Sequence, residues 1–216
     1  MEDVLEVYQR PYDPQRPVVC VDEATKQLVA DVTPCWPMRA GQPARQDYEY
    51  ERRGTANLFM QCEPLAGRRQ VKVTARRTTM DFAHLLRDLS DLHYPETQKI
   101  VLVMDNLNTH KLSALYAAFP PAEARRLCER FEVHYTPKHA SWLNIAECEL
   151  SALGRQCLDQ RIESQTMLAA EVQHWESARN KSQVGVDWQF QTADARIKLK
   201  RLYPTLASAT SREMDH

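Results

Sequence analysis

Residues Ile100-Val101-Leu102-Val103-Met104 are five consecutive apolar side chains without alternation, and they stop abruptly at Asp105. A strand wet on one face would alternate, so this one is covered on both, as in a parallel arrangement with helices on either side. The chain is therefore expected to fold around a central sheet. Its 216 residues are 43% hydrophobic and 26% charged, enough to bury a real core and too apolar for a disordered polyampholyte. No run approaches the roughly 18 apolar residues of a membrane helix. The opening Met1-Glu2-Asp3-Val4-Leu5 is acidic where a signal peptide is basic. Six scattered cysteines form no CxxC pair, which predicts reduced thiols in a cytoplasmic protein with no membrane partner. With glycine only at 41, 54, 67, 154 and 185, neither a GxGxxG nor a Walker A loop can be written.

Pro11, Pro14 and Pro17 make residues 1–16 read as a tether, with the domain spanning 17–203 and a polar tail at 204–216. Residues 18–21 form a β-branched run ending at Asp22, and a second run at 28–32 leads into a proline-rich loop. Residues 56–65 and 69–74 read as an antiparallel pair turning at Gly67. Apolar positions 82, 85, 86, 89 and 92 give a helix capped by Thr78 or Thr79. Beyond Asp105 come helical stretches at 111–119 and 122–130, a strand at 131–135, and a helix whose apolar stripe is 143, 146, 150, 153 and 157. A further helix covers 165–180. This order gives a mixed α/β pattern with helices flanking the sheet, compatible with a ribonuclease-H-like topology and with other mixed α/β folds.

Asp22 and Asp105 each follow a buried-looking strand, at the carboxyl ends where ligand sites of open α/β sheets gather. Taken singly, each is equally a turn former or helix cap. If the strands are neighbours, the two carboxylates converge and need a cation or a proton to coexist; Mg²⁺ or Mn²⁺ meets that need. A third carboxylate could come from Glu147 or Glu149. These lie about 160° apart around the helix axis, so spacing does not choose between them. Asn106 and His110 lie in the polar segment after Asp105. Cys20, Cys62 and Cys148 read as small buried hydrophobes rather than nucleophiles. Between Trp36 and Met80, nine Arg or Lys residues face four acids, which makes a local basic face possible.

Three separated motifs carry a family resemblance. They are Val19-Cys20-Val21-Asp22-Glu23, Val101-Leu-Val-Met-Asp105-Asn-Leu-Asn-Thr-His110, and Tyr135-Thr-Pro-Lys-His-Ala-Ser-Trp-Leu143-Asn144-Ile-Ala-Glu147. In this order they resemble the catalytic domain of DDE transposases of the mariner superfamily, most nearly the bacterial insertion-sequence branch. The resemblance implies a ribonuclease-H-like fold, a mixed five-stranded sheet flanked by helices, in which Asp22, Asp105 and Glu147 hold two Mg²⁺ or Mn²⁺ ions and catalyse DNA cleavage and strand transfer at transposon ends. The family's Leu-Asn-x-x-Glu pattern selects Glu147 over Glu149. Asn106, His110 and Asn144 would support the ligands, and Arg52, Arg53, Lys72, Arg76, Lys138 and His139 would meet DNA phosphates. A nucleoid-associated homodimer is implied. Family members carry helix-turn-helix modules ahead of the catalytic domain, whereas about sixteen residues precede the first strand here. The alternative expectation is therefore a catalytically silent, truncated or domesticated remnant that binds DNA or a partner.

Overall fold

The computed structural model describes residues 1–45, 47–106, 111–138 and 140–203. Five strands, β1 (Val18–Asp31), β2 (Tyr50–Glu63), β3 (Arg68–Thr74), β4 (Ile100–Met104) and β5 (Phe131–Tyr135), form one sheet in the order β3-β2-β1-β4-β5. β3, β2 and β1 are antiparallel neighbours, while β1, β4 and β5 run parallel. The expected mixed five-stranded sheet is thus present.

Every residue of β4 is buried, and the two faces of the strand enter different cores. Val101 and Val103 pack with helices α1 (Glu2–Tyr8), α5 (Ile145–Gln156), α6 (Gln165–Lys181) and α7 (Thr192–Lys198). Ile100, Leu102 and Met104 pack with α2 (Thr79–Asp88), α3 (Ser113–Ala118) and α4 (Pro121–Glu129). At roughly 1.5–3 kcal/mol for each fully buried large aliphatic side chain, this double coverage explains why the run carries no polar alternation. No helix among the described residues is long and apolar enough to cross a membrane.

Three local expectations need correction. Residues 18–21 and 28–32 are not separate runs: β1 continues through Asp22 because β2 pairs with it as far as Asp31, with a bulge between Gln27 and Val29. The helix expected from Leu143 opens with a 3₁₀ turn at Ser141–Leu143, and α5 itself begins at Ile145 behind Asn144. Residues 1–16 are not a tether, since Val4, Leu5 and Val7 of α1 are almost wholly buried in the core. Polar contacts hold the same segment down: Asp3 Oδ2 lies 2.8 Å from His134 Nδ1, Arg10 Nη1 donates to Glu132 at 2.7 Å, and Arg16 also donates to Glu132. The prolines follow a docked helix and do not mark a free arm. The tail at 204–216 lies outside the described residues.

Elsewhere the local chemistry matches the elements. Thr78 caps α2 in a reciprocal box with Asp81, its Oγ1 accepting from Asp81 N at 3.2 Å while Asp81 Oδ2 accepts from Thr78 N at 2.8 Å. Gly67 makes the β2–β3 turn at φ +63°, and a Cβ there would stand 2.5 Å from the backbone of Gln183. Only glycine fits that approach.

Truncating Leu5 to Ala should cost about 2–4 kcal/mol in urea denaturation, as for a core leucine; a loss within a few tenths would restore the tether reading. Glu132 supplies a pH test. Burial pushes its carboxyl up, but hydrogen bonds from Arg10, His134 and Arg16 outweigh this and hold it at about 2. The folded protein therefore binds fewer protons than the unfolded chain between pH 2 and the usual carboxylate range, so the contribution is present above that range and lost as pH falls towards 2. Glu132→Gln should lower stability by about 1 kcal/mol at neutral pH, and the gap from wild type should close in melts near pH 2.

Candidate active site

β1 and β4 pair in parallel as Val18↔Val101, Val19↔Leu102 and Cys20↔Val103, and there the ladder stops. Asp22 and Asp105 each follow the last paired residue by two positions, so they continue one register on adjacent strands. Side chains alternate along a strand, and Cys20, Val101 and Val103 belong to the core shared with α5. Asp22 and Asp105 therefore occupy positions on the α5 face of the sheet. Both are half-buried; Asp22 Oδ1 accepts from Glu23 N at 2.8 Å.

The start of α5 is brought to the same place by Asn144. Its Oδ1 caps the helix, accepting from Ala146 N at 3.2 Å, while its Nδ2 donates to the Val21 carbonyl at 2.8 Å. That carbonyl is open for a reason. Pro17 O accepts from Val101 N, so with the two-residue strand period the Val19 and Val21 carbonyls also point towards β4, and β4 no longer pairs with β1 at Val21. Tyr8 holds the other side of the turn, its hydroxyl donating to Leu143 O at 2.7 Å and accepting from Ile145 N at 3.4 Å. Glu147 follows in the first turn of α5, half-buried, where the helix dipole favours a carboxylate.

The two glutamates of α5 have separate fates. Glu149 is 2% exposed and is bound by two arginines, accepting from Arg69 Nη2 at 3.1 Å and from Arg179 Nε and Nη2 at 2.8 and 3.0 Å. Burial pushes its carboxyl up, but the Arg179 hydrogen bonds and the charges of Arg69 and Arg179 prevail and hold it below its ordinary range. It is committed to the interior, which removes it as a ligand.

Asp22, Asp105 and Glu147 each offer carboxylate oxygens, the donor type that suits Mg²⁺ or Mn²⁺. Among the described residues, no group of three or more His, Cys, Asp or Glu side chains is gathered closely enough to hold a metal ion. What the fold assembles is thus the backbone frame: two strand positions in one register and a helix start bonded next to one of them. That frame fits the group.

The remaining predicted residues divide. Asn106 is exposed, and His110 and His139 lie outside the described residues. Arg52, Arg76 and Lys138 are exposed, while Arg53 stands 2.8 Å from Glu51. Lys72 is opposite Phe59 on the α2 face of the sheet, away from the aspartates, and donates to Asp88 at 2.8 Å. Arg69, from the same basic run, is only 1% exposed. Cys20 and Cys62 are buried as expected, whereas Cys148 is exposed. Sequence reasoning missed Tyr8, Arg69 and Arg179, the residues that frame α5. Their signal was weak: one lies in a stretch read as a tether, and the others look like ordinary surface bases. A cavity of about 330 Å³, lined by Arg10, Tyr12, Arg16 and Glu63, opens near the amino ends of β1 and β4, away from the acids.

The fold has solved counterparts. The Mos1 mariner paired-end complex with Mn aligns with a TM-score of 0.55 at 19% identity, covering 84% of this chain and 54% of that one. The Mos1 strand transfer complex aligns with a TM-score of 0.57 at 16% identity, covering 84% and 53%. This chain thus spans about half the length of these structures, and at such identity the likeness establishes the ribonuclease-H-like fold of their catalytic domain. No curated protein gives a significant sequence match. A family model described as DDE superfamily endonuclease matches residues 17–169, from the start of β1 into α6 and across all three acids. The chain belongs to the DDE superfamily endonuclease family.

Proposed function

We propose that this chain is the catalytic domain of a DNA transposase, acting in metal-dependent strand cleavage and strand transfer at transposon ends, within the bacterial insertion-sequence branch. One observation carries the reading: Asp22 and Asp105 continue one parallel register on the face where Asn144 bonds the start of the Glu147 helix to Val21.

In this reading Asp22, Asp105 and Glu147 hold two Mg²⁺ or Mn²⁺ ions. When bound, such ions stabilise the attacking and leaving oxygens of an in-line displacement at phosphorus, with water as nucleophile in cleavage and a DNA 3′-hydroxyl in transfer. The chain's own contribution is positional. The β1–β4 register brings two backbone positions side by side, and Asn144 fixes where the helix that carries the third acid begins. Asn106, His110 and Asn144 support the ligands. Arg52, Arg53, Arg76, Lys138 and His139 provide salt-dependent contacts to DNA phosphates, with Lys72 joining when it leaves Asp88. The solved counterparts are Mos1 paired-end and strand transfer complexes, which supports DNA as partner; the working unit in this reading is a homodimer. A nucleoid-associated protein follows from that partner.

Supercoiled plasmid incubated with the chain and MnCl₂ or MgCl₂ should be nicked, and EDTA should abolish the reaction. Asp22→Asn, Asp105→Asn and Glu147→Gln should each lower the rate at least ~10³-fold, since the charge stabilisation supplied at such a centre amounts to several kcal/mol. Nicking retained by any of the three would remove that residue from the site. Wild-type chain that binds plasmid but leaves it intact with either metal would favour the silent remnant. Asn144→Ala should act more mildly, by about 10–100-fold, as residues that orient ligands do. Equal rates for this variant and wild type would break the link between helix cap and site.

A further inference from the structure

α5 is fixed at its start by Asn144 and Tyr8, both of which act on backbone atoms around residues 143–146. Contacts so close together hold where the helix begins; its rotation about its own axis is set further along, where Leu153 is buried in the core and a polar clamp holds Glu149. The direction of Glu147 depends on that turn. At a radius of roughly 6 Å, a rotation of about 20° displaces a side-chain group by about 2 Å, whereas metal–ligand distances hold to roughly 0.2 Å.

A second fixing point lies two residues further along, about 200° around the axis from Glu147. Glu149 is clamped there between Arg69 of β3 and Arg179 of α6, and the clamp is itself braced. Arg69 Nη1 donates to Gly67 O at 2.9 Å and Nη2 to Val184 O at 2.6 Å. Its backbone N–H donates to Asn180 Oδ1 and its carbonyl accepts from Asn180 Nδ2, both at 2.8 Å. The guanidinium of Arg179 lies over the Trp175 ring, 5.5 Å from its centroid. Neither arginine belongs to the strands that carry Asp22 and Asp105.

We propose that Arg69, Glu149 and Arg179 act as positioning residues for Glu147, setting the rotation of α5 and hence the aim of the third carboxylate at the metal site. This rests on the reading of Asp22, Asp105 and Glu147 as ligands. Buried ion pairs contribute little net stability compared with apolar packing of the same volume, but their geometry is specific, which is what an orienting role requires. The clamp also gives the two glutamates of this helix separate roles: Glu147 serves the site and Glu149 fixes the helix that carries it.

The test uses the full chain with Arg179→Met, which keeps bulk at a position 18% exposed, alongside Arg179→Lys and Glu149→Gln. Two quantities are measured: the MnCl₂ concentration for half-maximal plasmid nicking, and the rise in melting temperature that MnCl₂ produces. Arg179→Met should raise the half-maximal concentration about tenfold and shift the Mn²⁺-induced stabilisation to correspondingly higher metal, with the plasmid KM unchanged. Arg179→Lys, which keeps charge without the planar fork, should fall between. A purely structural clamp would lower the melting temperature at every metal concentration while leaving both Mn²⁺ midpoints in place, and that result would overturn the proposal. If Glu149→Gln does not fold, the Arg179 pair still decides the matter. Wild-type chain that neither nicks nor gains stability with MnCl₂ would instead bring down the ligand assignment, and this inference with it.

Discussion

A single buried hydrogen bond, Asn144 Nδ2 to the Val21 carbonyl, joins the two halves of the candidate site. Its net worth is only about 1 kcal/mol, but an unpaired amide or carbonyl at the same depth would cost about 1–3 kcal/mol. The bond therefore acts mainly by excluding alternatives. Any other seating of α5 leaves a strand carbonyl orphaned where β4 no longer pairs with β1, and leaves the helix without its cap. A parallel sheet with strands of unequal length generates such an open carbonyl at its carboxyl end. Here the opening falls one residue before Asp22, so the defect in the ladder and the site coincide.

The legibility of the sequence followed the same physics. β4 could be read to the residue because burial on both faces leaves no room for a polar side chain, and its end coincides with the first charge. β1 was misread because Asp22 interrupts the apolar run while backbone pairing with β2 does not notice side-chain polarity. The amphipathic start of the chain was visible, but the prolines at 11, 14 and 17 suggested an arm. What decides the matter is the fit of Val4, Leu5 and Val7 into a core built from residues far away in sequence. The choice between Glu147 and Glu149 was likewise out of reach of periodicity, since it depends on two arginines contributed by β3 and α6.

Charge counting fails for a related reason. The basic stretch between Trp36 and Met80 reads as a uniform surface, yet its members are distributed over different environments. Arg69 lies in the interior, Arg53 and Lys72 face acids, and Arg77 Nη1 donates to Glu23 at 2.9 Å. A residue's formal charge says little about the field it projects once a carboxylate stands beside it, and each pairing weakens a phosphate contact by the work of separating the pair. The exposed positive field is therefore smaller than composition suggests, with Arg52, Arg76 and Lys138 among its exposed members.

The contrast between a rigid frame and ungathered carboxylates has a physical logic. Three ionised groups drawn together without a cation repel one another, so a protein that packed them into a finished cage would bear that repulsion whenever metal is absent. Fixing the backbone instead, through strand register, helix cap and the Arg69–Glu149–Arg179 clamp, leaves only a few side-chain torsions to be settled on binding. The work of orientation is done during folding, by groups whose own charges are already neutralised. Asp22 and Asp105 lie on the face that α5 overlooks, while Glu149 is held by two arginines and buried. In the proposed reading, the division of labour between Glu147 and Glu149 follows: on one helix, mobility suits the ligand, and rigidity suits the residue that aims it.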